Sequence, residues 1–198
     1  ENLLNYTFRN LYLIDKNENA ITELARILNL KVNKDQNIEY ICSDIGVLDL
    51  ENFINKNRIT HYLNFAALKH VRSEENFLAS KYMFLTNCIY PFEIKNYKKL
   101  ITLKKIFSIS TDKAVSPSSV MGITKKIMEY KLAQIKKSNP SIFVSSVRFA
   151  NVSFSNGSLL KSVYEKTNSQ TPFGVPRDIK RFFIKQSEAV NLCLKSWL

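Results

Sequence analysis

Short apolar runs alternate along the chain with longer stretches whose apolar positions recur every three or four residues. Residues 11–15 (LYLID) predict a compact strand ending on an acid, and 37–44 and 61–67 predict two more. Between the first two, over 19–31, Ile21, Leu24, Ile27 and Leu28 fall at helical spacing, and 49–58 predicts a short helix. Residues 75–99 read as one long helix bent near Pro91, because proline lacks the amide for an interior helix bond. A fourth strand follows over 105–110. A strong helix over 118–138 opens on Ser118 or Ser119 as its cap and closes before Asn139-Pro140. After a fifth strand (142–149) come a Ser/Asn/Gly loop, a helix over 158–168, a Pro/Gly-rich loop and a last helix over 187–197.

Strands alternating with helices of this length predict parallel βαβ units with right-handed crossovers, and so an α/β fold with a doubly wound parallel sheet. Ligands of such sheets bind at the carboxyl ends of the strands. Asp15, Asp44, the run Ala66-Ala67-Leu68-Lys69, the run Ser110-Thr111-Asp112-Lys113, and Asn151 stand at those ends. Small residues, acids and lysines on one rim suit a phosphorylated, hydroxylated ligand. Acids after strands also cap the next helix, and for Asp15 the two readings are even.

Composition narrows the class. With 198 residues, 45% hydrophobic and 23% charged, the chain can bury one real core or two small ones. No run approaches the ~18 apolar residues of a membrane span and no signal peptide opens the chain, so a cytoplasmic protein is expected. Cys42, Cys88 and Cys193 are widely spaced with no CxxC pair, and the two histidines share no ligand spacing; reduced thiols and no metal are expected. The net charge of +12 invites a nucleic-acid partner. Against it, 22 of the 29 basic residues are lysines, dispersed along the chain, whereas base and phosphate readout leans on arginine. A solvated lysine surface is the expectation, with no nucleic acid bound.

The stretch FSISTDKAVSPSSVMGITKKIMEYKL, from Phe107 to Leu132, carries the candidate chemistry. A strand delivers Thr111, Asp112 and Lys113 to the rim, and a helix presents Met121 and Lys125, four apart and so on one face. A hydroxyl, a carboxyl and two amines around one cleft suit proton transfer at a sugar; a solvated turn before an amphipathic helix is the plainer alternative.

STDKAVSPSSVMGITKK resembles the signature of the extended short-chain dehydrogenase/reductases and, more narrowly, of the CapD-type polysaccharide-biosynthesis group, the UDP-N-acetylglucosamine 4,6-dehydratases. NFAALKHVRSEEN (64–76), Thr86-Asn87, VRFANV (147–152) and RFF with Glu188-Ala189 extend the resemblance in order over nearly the whole chain. The superfamily's Tyr-x-x-x-Lys appears here as Met121 to Lys125. Methionine has no ionisable group, and the resemblance implies that the Thr-Asp-Lys residues take over. Lys113 would remove the C5 proton, Asp112 would protonate the departing C6 hydroxyl, and Thr111 would bond near the C4 oxygen. Lys125 would hold the nicotinamide ribose of NAD, and Lys113 would need burial or a neighbouring cation such as Lys125 to be neutral. Asp15 would take the adenosine ribose, a preference for NAD over NADP that Lys16 weakens. Asp44 and Ile45 would border the adenine; Ala66 and Ala67 would be small enough for the cofactor to approach closely, with Lys69 contacting it. Lys69, Asn87, Asn151 and Arg181 would contact the UDP-sugar substrate. His70 follows the group's Lys-His-Val, and His61 begins a strand; structural roles are expected for both. Ala150 replaces a glycine of the group and would be strained at a positive φ.

The chain departs from that pattern at its ends. A dinucleotide-binding fold opens with a strand, a glycine-rich turn and a helix. None of the 4 glycines lies in the first 45 residues, and Glu1 to Tyr6 resembles the tail of that helix. The absent strand would be the central one, pairing on both sides, and each buried backbone group left unpaired costs about 1–3 kcal/mol. The expectation is a fragment of a dehydratase: residues 1–152 an incomplete dinucleotide-binding domain, 153–198 the start of the nucleotide-sugar portion, weak in NAD binding alone and a homo-oligomer at full length. A nucleotide-sugar epimerase and a catalytically dead sugar-nucleotide-binding module are the rivals.

Overall fold

The computed structural model describes all residues except 71–73, 156, 173 and 175–179. Strands β1 (Asn10–Asp15) and β2 (Asn37–Cys42) pair in parallel, from Asn10 beside Asn37 to Asp15 beside Cys42, around helix α1 (Glu18–Asn29). Helix α2 (Leu50–Lys56) crosses to a second parallel sheet in the order β3 (His61–Asn64), β4 (Lys105–Thr111), β5 (Phe143–Phe149). A third, two-stranded sheet joins β6 (Asn151–Val152) to β7 (Phe183–Ile184). Among the described residues no ladder joins β1 to β3. The two larger sheets are thus the wings of a doubly wound arrangement, divided where the strand order reverses. The predicted α/β class holds, and so do the five main strands within a few residues.

Local chemistry fixes the helix starts. Asn17, Asp49, Asn76, Ser119 and Ser158 each cap a helix with a side-chain oxygen, and Ser119 is the cap of α4 (Val120–Ser138). Alternating residues of β4 serve two layers. On one face Ser108 donates to Met128 Sδ and Ser110 to Glu129 of α4. On the other, Lys105 Nζ donates to the carbonyls of Trp197 and Leu198, at the end of α6 (Gln186–Trp197). Leu50 and Ile54 of α2, Ile106, and Met128, Leu132 and Ile135 of α4 form the main core.

The long helix expected over 75–99 is not one helix. Helix α3 covers Phe77–Phe84, widens into a π turn at Leu85–Ile89, tightens to a 3-10 turn at Tyr90–Phe92, and stops. The break begins at Leu85, six residues before the proline. Thr86, Asn87 and Cys88, at the π turn, are all buried, so packing rather than Pro91 sets its place. Helix α5 spans Leu159–Asn168. At the start of the chain, Asn2–Asn5 form a 3-10 turn that reaches both wings: Lys31 pairs with Glu1, and Tyr6 packs edge-on against Trp197. No helix among the described residues is long and apolar enough to cross a membrane.

Candidate active site

A cavity of about 790 Å³ opens at the carboxyl ends of β3, β4 and β5. Its wall includes Ala67, Lys69, Thr111, Lys113, Met121, Lys125, Asn151 and Arg181, so eight of the positions singled out in the sequence share one cleft. Asp112 stands at its edge through its neighbours. Thr111 caps a 3-10 turn over Asp112–Ala114; its hydroxyl donates to Asp112 Oδ1 at 2.9 Å and accepts the Lys113 amide at 3.4 Å. Lys113 Nζ lies 3.5 Å from the same Asp112 oxygen, its side chain about a third exposed. Hydroxyl, carboxylate and amine are therefore one hydrogen-bonded unit.

Burial falls on the other lysine. Lys125 is only 4% exposed, and its ammonium donates to the Ile109 carbonyl at 3.0 Å. Loss of hydration lowers its pKa to about 8 against the weaker opposing pull of Cys88 and Glu129. Met121, one turn earlier, is buried at the cleft wall. Gly122 behind it lets α4 meet the Thr-Asp-Lys turn: a Cβ there would come within 2.8 Å of the Lys113 carbonyl oxygen.

Three contacts hold this helix, and spacing along the sequence announces none of them. Glu74 accepts the amides of Val120 and Met121 at 3.0 and 2.9 Å, placing a carboxylate on the helix N-terminus. Glu129 accepts from Ser110 at 2.6 Å and from both nitrogens of an Arg148 fork. Burial raises its pKa, but the Arg148 and Ser110 hydrogen bonds outweigh that and hold it below the usual carboxylate range. Asn87 is the third, and here the substrate-contact expectation is corrected. Its side chain is fully buried, bonded to the Leu68 amide and carbonyl and to Thr124 Oγ1, and Thr124 donates on to the Met121 carbonyl. Both ends of the amide are satisfied by the protein, so it positions the loop after β3 against α4.

The β1–β2 rim is built differently. Asp15 Oδ1 accepts the Asn17 amide at 2.8 Å, while Asn17 itself caps α1. Asp44 Oδ1 accepts the Gly46 amide, its Oδ2 accepts the Tyr82 hydroxyl, and Lys16 Nζ donates to that hydroxyl at 3.0 Å. The hydrogen bonds from Tyr82 and Gly46 hold the Asp44 carboxyl below its ordinary range. Ile45 packs against the core, and the Ala66 amide is held by Asn64 Oδ1 at 3.1 Å; neither lines the main cavity.

On the third sheet, Asn151 Nδ2 donates to the Phe182 carbonyl at 3.2 Å, tying β6 to the segment of Arg181. Ala150 has no positive φ, so the strain anticipated there is absent. His61 bonds Thr60 and stacks edge-on against Trp197. His70 lines the cleft against Gly157, whose φ of +67° and lack of a Cβ admit the imidazole.

Comparison with known proteins agrees with this architecture. An uncharacterized membrane protein of Methanocaldococcus jannaschii, MJ1061, is 34% identical over 200 residues, covering 98% of this chain and 57% of that protein. The capsular polysaccharide biosynthesis protein CapD of Staphylococcus aureus is 37% identical over 95 residues, 48% of this chain and 16% of its own. The chain thus spans little more than half of the first relative and a sixth of the second. The structure of Pen from Bacillus thuringiensis superposes with a TM-score of 0.81 over 99% of this chain and 59% of that one, at 22% identity, a likeness of fold. The family described as "Polysaccharide biosynthesis protein" matches residues 1–198, and the chain belongs to it.

Proposed function

We propose that this chain carries the catalytic side of a nucleotide-sugar 4,6-dehydratase that converts UDP-N-acetylglucosamine to a UDP-4-keto-6-deoxy sugar. The observation that carries the reading is the site of Met121. A side chain that cannot hold a proton stands where the superfamily's tyrosine would, beside a Thr111-Asp112-Lys113 unit that can.

NAD, when bound, accepts a hydride from the sugar and returns it. What supports a dinucleotide is the pair of groups present here: the buried Lys125 amine in the cleft wall, and the Asp15 carboxylate at the end of β1, outside the cavity lining. The glycine-rich turn that would cradle its diphosphate is not among these residues. Thr111 orients the substrate near its C4 oxygen. Lys113 takes the C5 proton, and Asp112 gives one to the C6 hydroxyl, which leaves as water. That step needs Lys113 neutral and Asp112 protonated, and it ends with ammonium beside carboxylate, the pair seen at 3.5 Å. Lys113 then returns its proton to C5, and the proton released as the C4 hydroxyl becomes a ketone passes to Asp112, which resets the site. Lys69, Asn151 and Arg181 line the side where the UDP diphosphate would lie, with residues 153–198 contributing the sugar-nucleotide portion.

The test uses the full-length protein with UDP-N-acetylglucosamine deuterated at C4. A product lighter by one water, with deuterium at C6, is expected, and Lys113→Ala should abolish it. A product of unchanged mass would make the protein an epimerase, and normal turnover by Lys113→Ala would remove the base from the scheme.

A further inference from the structure

Lys16 immediately follows Asp15, and in the sequence it weakens any preference against a 2′-phosphorylated cofactor. The structure places its ammonium elsewhere. Lys16 Nζ donates to the Tyr82 hydroxyl at 3.0 Å and stands 4.7 Å over the centre of the Tyr82 ring. The Tyr82 proton goes to Asp44 Oδ2, and the other Asp44 oxygen accepts the Gly46 amide. The Lys16 carbonyl accepts from Cys42 Sγ at 3.8 Å, which ties its backbone to the end of β2. Lys16 is therefore turned toward α3, and the hydroxyl that holds it is used in both directions. Asp15 keeps one oxygen on the Asn17 amide, and its other accepts no hydrogen bond among the described residues.

We propose that Tyr82 determines cofactor specificity: by holding Lys16 against Asp44 it leaves Asp15 as the charge met by the adenosine ribose, favouring a free 2′-hydroxyl over a 2′-phosphate. The inference rests on the dinucleotide reading above. Its physical basis is local. A 2′-phosphate beside Asp15 meets like charge, and a released Lys16 ammonium on the next residue would offset it. Tyr82→Phe removes both hydrogen bonds while keeping the ring, so the fold of α3 is preserved and the lysine loses its oxygen partner.

The experiment titrates NAD⁺ and NADP⁺ by calorimetry against the full-length protein, without sugar substrate, so that turnover plays no part. Wild type should bind NAD⁺ at least tenfold more tightly. Tyr82→Phe should tighten NADP⁺ threefold to tenfold while moving NAD⁺ less than twofold, and Tyr82→Leu, which also removes the ring, should do so further. Adding Lys16→Ala to Tyr82→Phe should return the ratio to its starting value or beyond. An unchanged ratio in Tyr82→Phe, a gain that survives Lys16→Ala, or a wild type that prefers NADP⁺ overturns the role of Tyr82 and leaves the dehydratase reading standing. Binding of neither dinucleotide would overturn both.

Discussion

The two wings of the sheet carry the same βαβ grammar but are buried very differently. In β4 the residues Ile106, Phe107, Ser108 and Ser110 are all buried, and α4 behind it contributes seven buried positions. In β1 and β2 no residue is, and α1 buries only Ile21 and Leu28. Near the cleft, the first wing holds its candidate side chains at buried positions: Lys125 on α4, Asn87 at the π turn. The second holds Asp15, Lys16 and Asp44 through exposed and half-exposed hydrogen bonds. On the roles proposed above, catalytic geometry would reside in the more buried wing and cofactor choice in the less buried one.

The largest effect that would test this contrast is on stability. Phe107 is wholly buried in β4, so Phe107→Ala should cost about 3–5 kcal/mol of unfolding free energy. Ile14, half-buried in β1, should cost less than about 1.5 kcal/mol as Ile14→Val. Denaturant titrations of the two variants, with amide exchange slower in β4 than in β1, would establish the difference; equal costs would erase it.

A second effect is pH-dependent and belongs to Lys125. Its folded pKa, about 8, lies below the unfolded 10.5, so the unfolded state binds more protons between those values. The cost of keeping this ammonium buried is therefore full below pH 8 and is relieved as pH rises toward 10.5, by at most a few kcal/mol. Lys125→Met should flatten that rise in denaturation curves taken from pH 7 to 10.5. A variant with the same slope as wild type would place the ammonium in water.

How much of this was legible in the sequence follows the same division. The β4–α4 region is legible nearly whole, because its information is local: a strand run, a Ser119 cap and a Met-x-x-x-Lys face lie within 30 residues. In the 75–99 stretch the apolar positions run all round the helix, which hides the period that would mark a break. For Asn87, the resemblance to the family's Thr-Asn implies a ligand contact; only the fold brings Leu68 and Thr124 to its amide. Glu74 on α4 and Tyr82 between Lys16 and Asp44 join residues 38 to 66 positions apart, beyond the reach of any spacing rule.

Glu74 gives the third prediction. Removing it leaves two amides at the start of α4 without their acceptor, so Glu74→Ala should lower stability by about 1–2 kcal/mol. If it also positions Met121 and the Thr-Asp-Lys turn, kcat should fall tenfold or so with KM little changed, and Glu74→Gln should recover part of both. A fall in stability alone would make Glu74 a helix cap and nothing more.

The smallest effect is a matter of sign. Were Ala150 held at positive φ, replacing it with glycine would relieve strain and stabilise the protein. The structure puts no positive φ there, so Ala150→Gly should instead destabilise by roughly 0.5–1 kcal/mol, through the greater freedom glycine gives the unfolded chain. The residue sits between β5 and β6, where the cleft passes from the more buried wing to the segment of Asn151 and Arg181. A stabilised Ala150→Gly would mean that this corner is strained, and that the junction, not the wing, sets how the sugar-nucleotide side is held.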